Sequence, residues 1–169
     1  KTTQLLDEIL EVAHPLMAEA IYMAALPHWY DQELFRTVRN IADARNEGLI
    51  PRLARFSFIK PVSATLMDAF SVHETERFHL NVRWIQQDPD TYLAAHARAY
   101  TFWHAKRNVA NTAQDDPGLI EEFESQYHHF FVDLDAAVAN LIYDFRIFRA
   151  QRKLAGIEHL LSISREAYQ

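Results

Sequence analysis

The chain has 169 residues, 49% of them hydrophobic and 24% charged, with a formal net charge of −6 and no cysteine. That balance is typical of a globular chain long enough for one domain or two small ones; it excludes disulfides, thiolate metal sites and wholesale disorder. The negative charge disfavours a dedicated nucleic-acid binder, and no apolar run approaches the roughly 18 residues a membrane span requires.

Lys1 stands where an initiator Met would, within helical sequence and without a charged-then-apolar leader, which leads us to expect an excised segment of a longer chain. Leu5, Ile9, Val12, Leu16, Ala20 and Ala24 then follow helical spacing. Pro15 interrupts the ladder and biases His14 away from helical angles, so the spacing predicts one helix to about Val12 and a second over 15–26. Asp31 is the expected N-cap of a third helix, with Leu34, Phe35, Val38 and Ile41 inward and Asn46-Glu47-Gly48 at its end. Pro51 suits the first turn of a short helix carrying Leu53 and Phe56.

Two apolar runs follow, Phe56-Ser57-Phe58-Ile59 closed by Lys60-Pro61, and Phe70-Ser71-Val72 ending at His73-Glu74, and they read as the strands of a small hairpin. Ser71-x-x-Glu74 has the capping-box pattern and predicts a helix over 74–87, with Phe78, Val82 and Ile85 on its apolar face. Asp88-Pro89-Asp90 starts another, with Tyr92, Leu93, Ala97, Tyr100 and Trp103 as its apolar content. The polar stretch 108–116 predicts a loop, after which Asp116-Pro117 caps a helix with Leu119, Phe123, Tyr127 and Phe130 inward. A helix carrying Leu134, Ala137, Val138, Leu141 and Phe145, and a last one over 151–168, complete the chain. The aromatic rings between 123 and 148 read as core rather than as a peptide groove, because paired helices need bulky inward residues to stack.

Helices followed by a hairpin are the layout of a winged helix. The residues Ala25-Leu26-Pro27-His28-Trp29-Tyr30-Asp31, 53–59 and Val72-His73-Glu74-Thr75-Glu76-Arg77 resemble the winged-helix segment of STAND signal-transduction ATPases, the class that includes the NB-ARC apoptotic and plant immune ATPases. In that class an LP-plus-aromatic stretch precedes the wing, and the wing ends in a hydrophobic residue, His, an acidic residue, two residues and Arg. Val72, His73, Glu74 and Arg77 fill those slots, with Val where Met is common and Glu where Asp is common.

The resemblance implies a mainly α chain of the bacterial type: a winged-helix regulatory subdomain with a small β-hairpin at 1–87, then antiparallel helix pairs, tetratricopeptide-like, at 88–169. The tetratricopeptide consensus is absent and the internal period is not clean, so repeats are inferred from position. The resemblance further implies that His73 reaches the β-phosphate of ADP held by an upstream nucleotide-binding domain of the same chain, in a closed and inactive state. Arg77 would hold acidic neighbours or the interdomain seam. The helical repeats would carry contacts to protein partners, in the cytoplasm. The segment itself would be non-catalytic and hold no cofactor of its own, ADP or ATP belonging to the parent.

Read without the resemblance, other chemistries find little support. Gly48, Gly118 and Gly156 are widely separated and no GK[ST] occurs, so this piece builds no phosphate loop. His73-Glu74 lacks the second His of H-E-x-x-H, His128 and His129 point about 100° apart on a helix, and His96 and His104 are two turns apart. No metal site and no catalytic residue is therefore expected. The alternative function is a winged-helix DNA-binding transcriptional regulator. Over 31–60, Arg36, Arg39, Arg45, Arg52, Arg55 and Lys60 outnumber Asp31, Glu33, Asp43 and Glu47 by two, but the short helix there is too apolar for major-groove reading. A free-standing enzyme using the histidines would need three of His, Asp and Glu to converge.

Overall fold

In the structure, a computed structural model, residues 2–40, 48–62, 68–112 and 119–167 are described. They are mainly helical, with one small antiparallel two-stranded sheet. The order is α1 (Thr2–Val12), α2 (Pro15–Ala25), α3 (Gln32–Arg39), α4 (Leu49–Leu53), β1 (Ile59–Pro61), β2 (Phe70–Val72), α5 (Glu74–Gln87), α6 (Pro89–Thr112), α7 (Leu119–His129), α8 (Leu134–Ala150) and α9 (Leu154–Ala167). Two compact units result, Lys1–Ala95 and His96–Gln169, the division falling inside α6. None of these helices is long and apolar enough to cross a membrane.

In the first unit α2 is the central element. Pro15 opens it at the position where a missing N–H costs nothing, and it packs against α3, α4, α5 and β2. Ala20, Ala24 and Ala25 are fully buried and small, which lets those neighbours come close, while Met17, Ile21 and Leu26 supply the bulk. Asp31 caps α3, its Oδ1 accepting from Leu34 N at 2.8 Å, and Leu34, Phe35 and Val38 are buried. Gly48, with φ of 74°, starts α4 in a left-handed conformation that costs a side-chain-bearing residue more.

The hairpin pairs Ile59 with Val72, Lys60 with Ser71 and Pro61 with Phe70. Phe70 also exchanges both backbone hydrogen bonds with Tyr30, each 2.8 Å, which ties β2 to the segment between α2 and α3. The strand expected at 56–59 lies further on: Phe56 N donates to Leu53 O and Ile59 N to Phe56 O, so these residues turn out of α4 before pairing begins. Pro61 ends the paired strand instead of lying beyond it. A proline is tolerated there because only an interior strand position demands its N–H.

The helix over 74–87 forms as expected, but its N-cap is His73 and not Ser71, and its buried face differs. Arg77, Leu80 and Trp84 are buried, whereas Phe78 and Ile85 are exposed. Asn81 Nδ2 donates to Ala25 O at 2.9 Å, so this face meets the end of α2, whose last carbonyls need donors. The same correction applies in α1 and α2: Val12 and Leu16 are exposed, and Leu6, Leu10 and Met17 are buried in their place. The third helix ends earlier than the expected Asn46-Glu47-Gly48: Asn40, left-handed at φ of 51°, caps α3 directly after Arg39, its N–H reaching Arg36 O and Thr37 O, and the inward Ile41 lies outside the described residues.

In the second unit α7, α8 and α9 pack on one another pairwise, linked by short turns at 130–133 and 151–153. Phe123, Tyr127, Phe148, Leu160 and Ile163 form its core. A Cβ on Gly156 would stand 2.9 Å from the Phe148 ring, so the missing side chain is what brings α9 onto α8. Asp133 caps α8 through Ala136 N at 3.0 Å. The loop expected at 108–116 begins later, since α6 continues to Thr112; the remainder and the Asp116-Pro117 cap lie outside the described residues. Along α8 the buried positions are Ala137, Asp144 and Phe148, whereas Leu134 is exposed.

Candidate functional site

Two groups of polar side chains stand out, one in each unit. The first surrounds His73, at the junction where β2 hands over to α5. Its backbone is held from both sides, His73 N donating to Phe58 O at 2.8 Å and Arg77 N donating to His73 O at 2.9 Å. The side chain is half exposed, at 50%. Its Nδ1 lies 2.8 Å from Glu76 Oε2, a separation that two lone pairs do not tolerate, so Nδ1 carries a proton and Nε2 is the nitrogen left for anything outside. Glu74 and Glu76 occupy the first turn of α5, where carboxylates favourably meet the positive end of the helix dipole.

Arg77, the other residue singled out in the sequence, is buried beneath this junction at 5% exposure, and its carbonyl accepts from Asn81 Nδ2 at 3.0 Å. It is thus a component of the α5 packing face and not a solvated surface charge. His73 and Arg77 sit one turn apart, joined through the backbone, with one imidazole turned to the surface and one guanidinium to the interior.

The second group was not legible in the sequence. Residues 123–130 of α7 and the turn after it are all buried, among them Glu124, Ser125, Gln126, His128 and His129. His96 on α6 and His128 on α7 are fully buried, and their Nδ1 atoms stand 2.8 Å apart. One of the two must donate and the other accept, so the pair shares a single proton at that contact and cannot be doubly charged. His96 stacks on Phe131 with ring centroids 3.8 Å apart, and His128 Nε2 is 3.7 Å from Glu124 Oε2. His129 stacks on Tyr100 at 4.5 Å. Burial holds the His129 pKa below its ordinary value, Asp133 opposing that effect and His104 and Arg107 adding to it.

Beside this group Arg107 Nη2 pairs with Glu122 Oε1 at 2.8 Å. Burial pushes Glu122 up to about 7, against the opposing pull of Arg107 and with the help of Asp144. Asp144 is raised as well, again chiefly by burial. One guanidinium cannot neutralise two carboxylates largely withdrawn from water, so the acid pair holds its protons to higher pH than either residue would alone in water.

The spacing between His96 and His128, 32 residues across two helices, hides the pair from any motif. The only available signal was a histidine placed on the same helical face as Tyr92, Ala99 and Trp103, where burial forces a polar ring to find a partner. Among the described residues no three of His, Asp and Glu converge as a metal-binding cluster. Comparisons with protein-family models, with curated proteins and with solved structures found no match to this chain.

Proposed function

We propose that this chain is a non-catalytic regulatory and interaction segment of a nucleotide-switched STAND signalling ATPase, working in the cytoplasm. In this reading the first unit is the winged helix whose His73 senses ADP in the closed state, and the helices of the second unit mediate protein contacts. The placement of His73 is the observation that carries it: a half-exposed imidazole on a rigidly held strand-to-helix junction, its Nδ1 already occupied by Glu76.

That occupancy shapes the chemistry. With a proton on Nδ1, the ring donates from Nε2 only as the imidazolium. A phosphate oxygen of ADP, presented by an upstream domain, would therefore receive a charge-assisted hydrogen bond from His73. Glu74 and Glu76 repel an anion from the amides at the start of α5, so the ring and not the helix terminus makes the contact. Buried Arg77 holds the first turn of α5 beneath it as a positioning residue.

Losing one charge-assisted bond made only in the closed state shifts the population toward the open state by about 1.5–3 kcal/mol, roughly a ten- to hundredfold change. In the parent protein with its nucleotide-binding domain, His73→Ala should speed ADP release by that factor and raise basal activity. Unchanged ADP release would overturn the assignment. Salt-dependent binding of duplex DNA by the chain would instead support the transcription-regulator alternative.

A further inference from the structure

The outer side of α8 and α9 carries a groove of about 340 Å³ lined by Leu141, Ile142, Phe145, Arg146, Arg149 and Leu161. Ile142 and Leu161 are 48% and 43% exposed, far more than isoleucine and leucine retain when a helix pair is covered on both sides. Positions 142, 145, 146 and 149 follow the i, i+3, i+4, i+7 rhythm of one helical face, so the seam is continuous along α8. Neither Arg146 nor Arg149 makes an ion pair among the described residues, and no carboxylate lines the groove.

We propose that this groove is a docking site for an acidic amphipathic helix of a partner protein. The seam between two helices matches the helix-in-groove mode of recognition, in which the partner places apolar anchors at i, i+3 or i+4, and i+7. The two guanidiniums on its wall select aspartate or glutamate on the flanks of that helix, because arginine pairs with carboxylates in a bidentate way. A second copy of the chain fits less well: a two-fold pairing through this face would bring Arg146 and Arg149 toward their own equivalents. A membrane surface fits less well because the apolar residues line a concave seam and not a protruding edge.

This proposal rests on the reading of the second unit as a protein-contact module and is independent of His73. It is tested by selecting a displayed library of random 16-residue peptides against the full chain, then titrating the enriched peptide by fluorescence anisotropy. Enriched sequences should combine apolar residues at helical spacing with Asp or Glu, and Arg146→Glu with Arg149→Glu should weaken binding at least tenfold. Arg146→Lys with Arg149→Lys should keep much of the binding, with affinity falling as salt rises.

Enriched peptides without acidic residues, or binding unmoved by the charge reversals, would overturn the proposal. Peptides that bind elsewhere in His96–Gln169 would overturn the groove and leave the contact-module reading in place, whereas no enrichment at all would overturn both. A concentration-dependent dimer lost in Leu161→Asp, or flotation with phosphatidylserine vesicles that needs the same two arginines, would assign the face to a second copy or to a membrane and overturn it as well.

Discussion

The two units treat their histidines in opposite ways. His73 of the first is half exposed, pinned by its backbone and matched to a single carboxylate. His96 and His128 of the second are fully enclosed, each answering the other. An exposed imidazole on a fixed backbone is available to something outside the unit, and its removal costs the fold little. A buried pair has no such outlet; the two Nδ1 atoms meet each other, and removing one ring leaves the other without that contact in an interior closed to water. Polar burial in the second unit therefore speaks for architecture, and polar exposure in the first for contact.

That contrast can be broken most directly at His128. His128→Ala removes a fully buried ring and leaves the His96 Nδ1 facing a cavity, so urea denaturation should show a loss of about 2–4 kcal/mol. A loss below about 1 kcal/mol would mean that the pair does not hold the unit together. Next in size is the cap of α8: Asp133→Ala frees the Ala136 N–H and should cost about 1 kcal/mol by the same measurement.

The acid pair sharpens the contrast through pH. The folded chain keeps the Glu122 proton up to about 7 while the unfolded chain releases it near 4.5, so the stability tied to this group is full below about 4.5 and gone above 7. His129 works in the opposite sense. Its lowered pKa favours the folded state above the ordinary value of 6.5, and that contribution fades as pH falls. Glu122→Gln combined with Asp144→Asn should remove the carboxyl effect and leave that of His129, so the thermal midpoint of the variant should no longer decline between pH 5 and 7. An unaltered decline would show that the carboxyl pair is not its source.

The smallest effect belongs to the other side of the comparison. His73→Ala should change the stability of the chain by no more than about 0.5 kcal/mol, as surface substitutions do, even though the proposed function gives it the largest consequence for nucleotide release. A destabilisation beyond 1.5 kcal/mol would place His73 among the structural residues, alongside His128.

What a linear reading could reach follows a consistent rule. Asp31 as a cap, Pro15 and Pro89 at helix starts, and the second strand at 70–72 were all legible, because each depends on neighbours within four residues. The helix at 74–87 was legible in extent but not in orientation. Phe78, Val82 and Ile85 made the more apolar stripe, yet Arg77, Leu80 and Trp84 are the residues turned inward. An arginine weighs against burial in any hydrophobic pattern, and nothing along the chain announces the partners that make burying it tolerable.

The chemistry divides along the same line. Backbone propensity and short-range periodicity specified a mainly helical chain with one small hairpin and put His73 at the end of β2, since caps, prolines and strand alternation act over single turns. The His96–His128 contact, the Glu122–Asp144 acid pair and the arginine-lined seam of α8 and α9 exist because separate helices pack together. Desolvation and pairing are properties of that packing, and no residue carries them in its own identity.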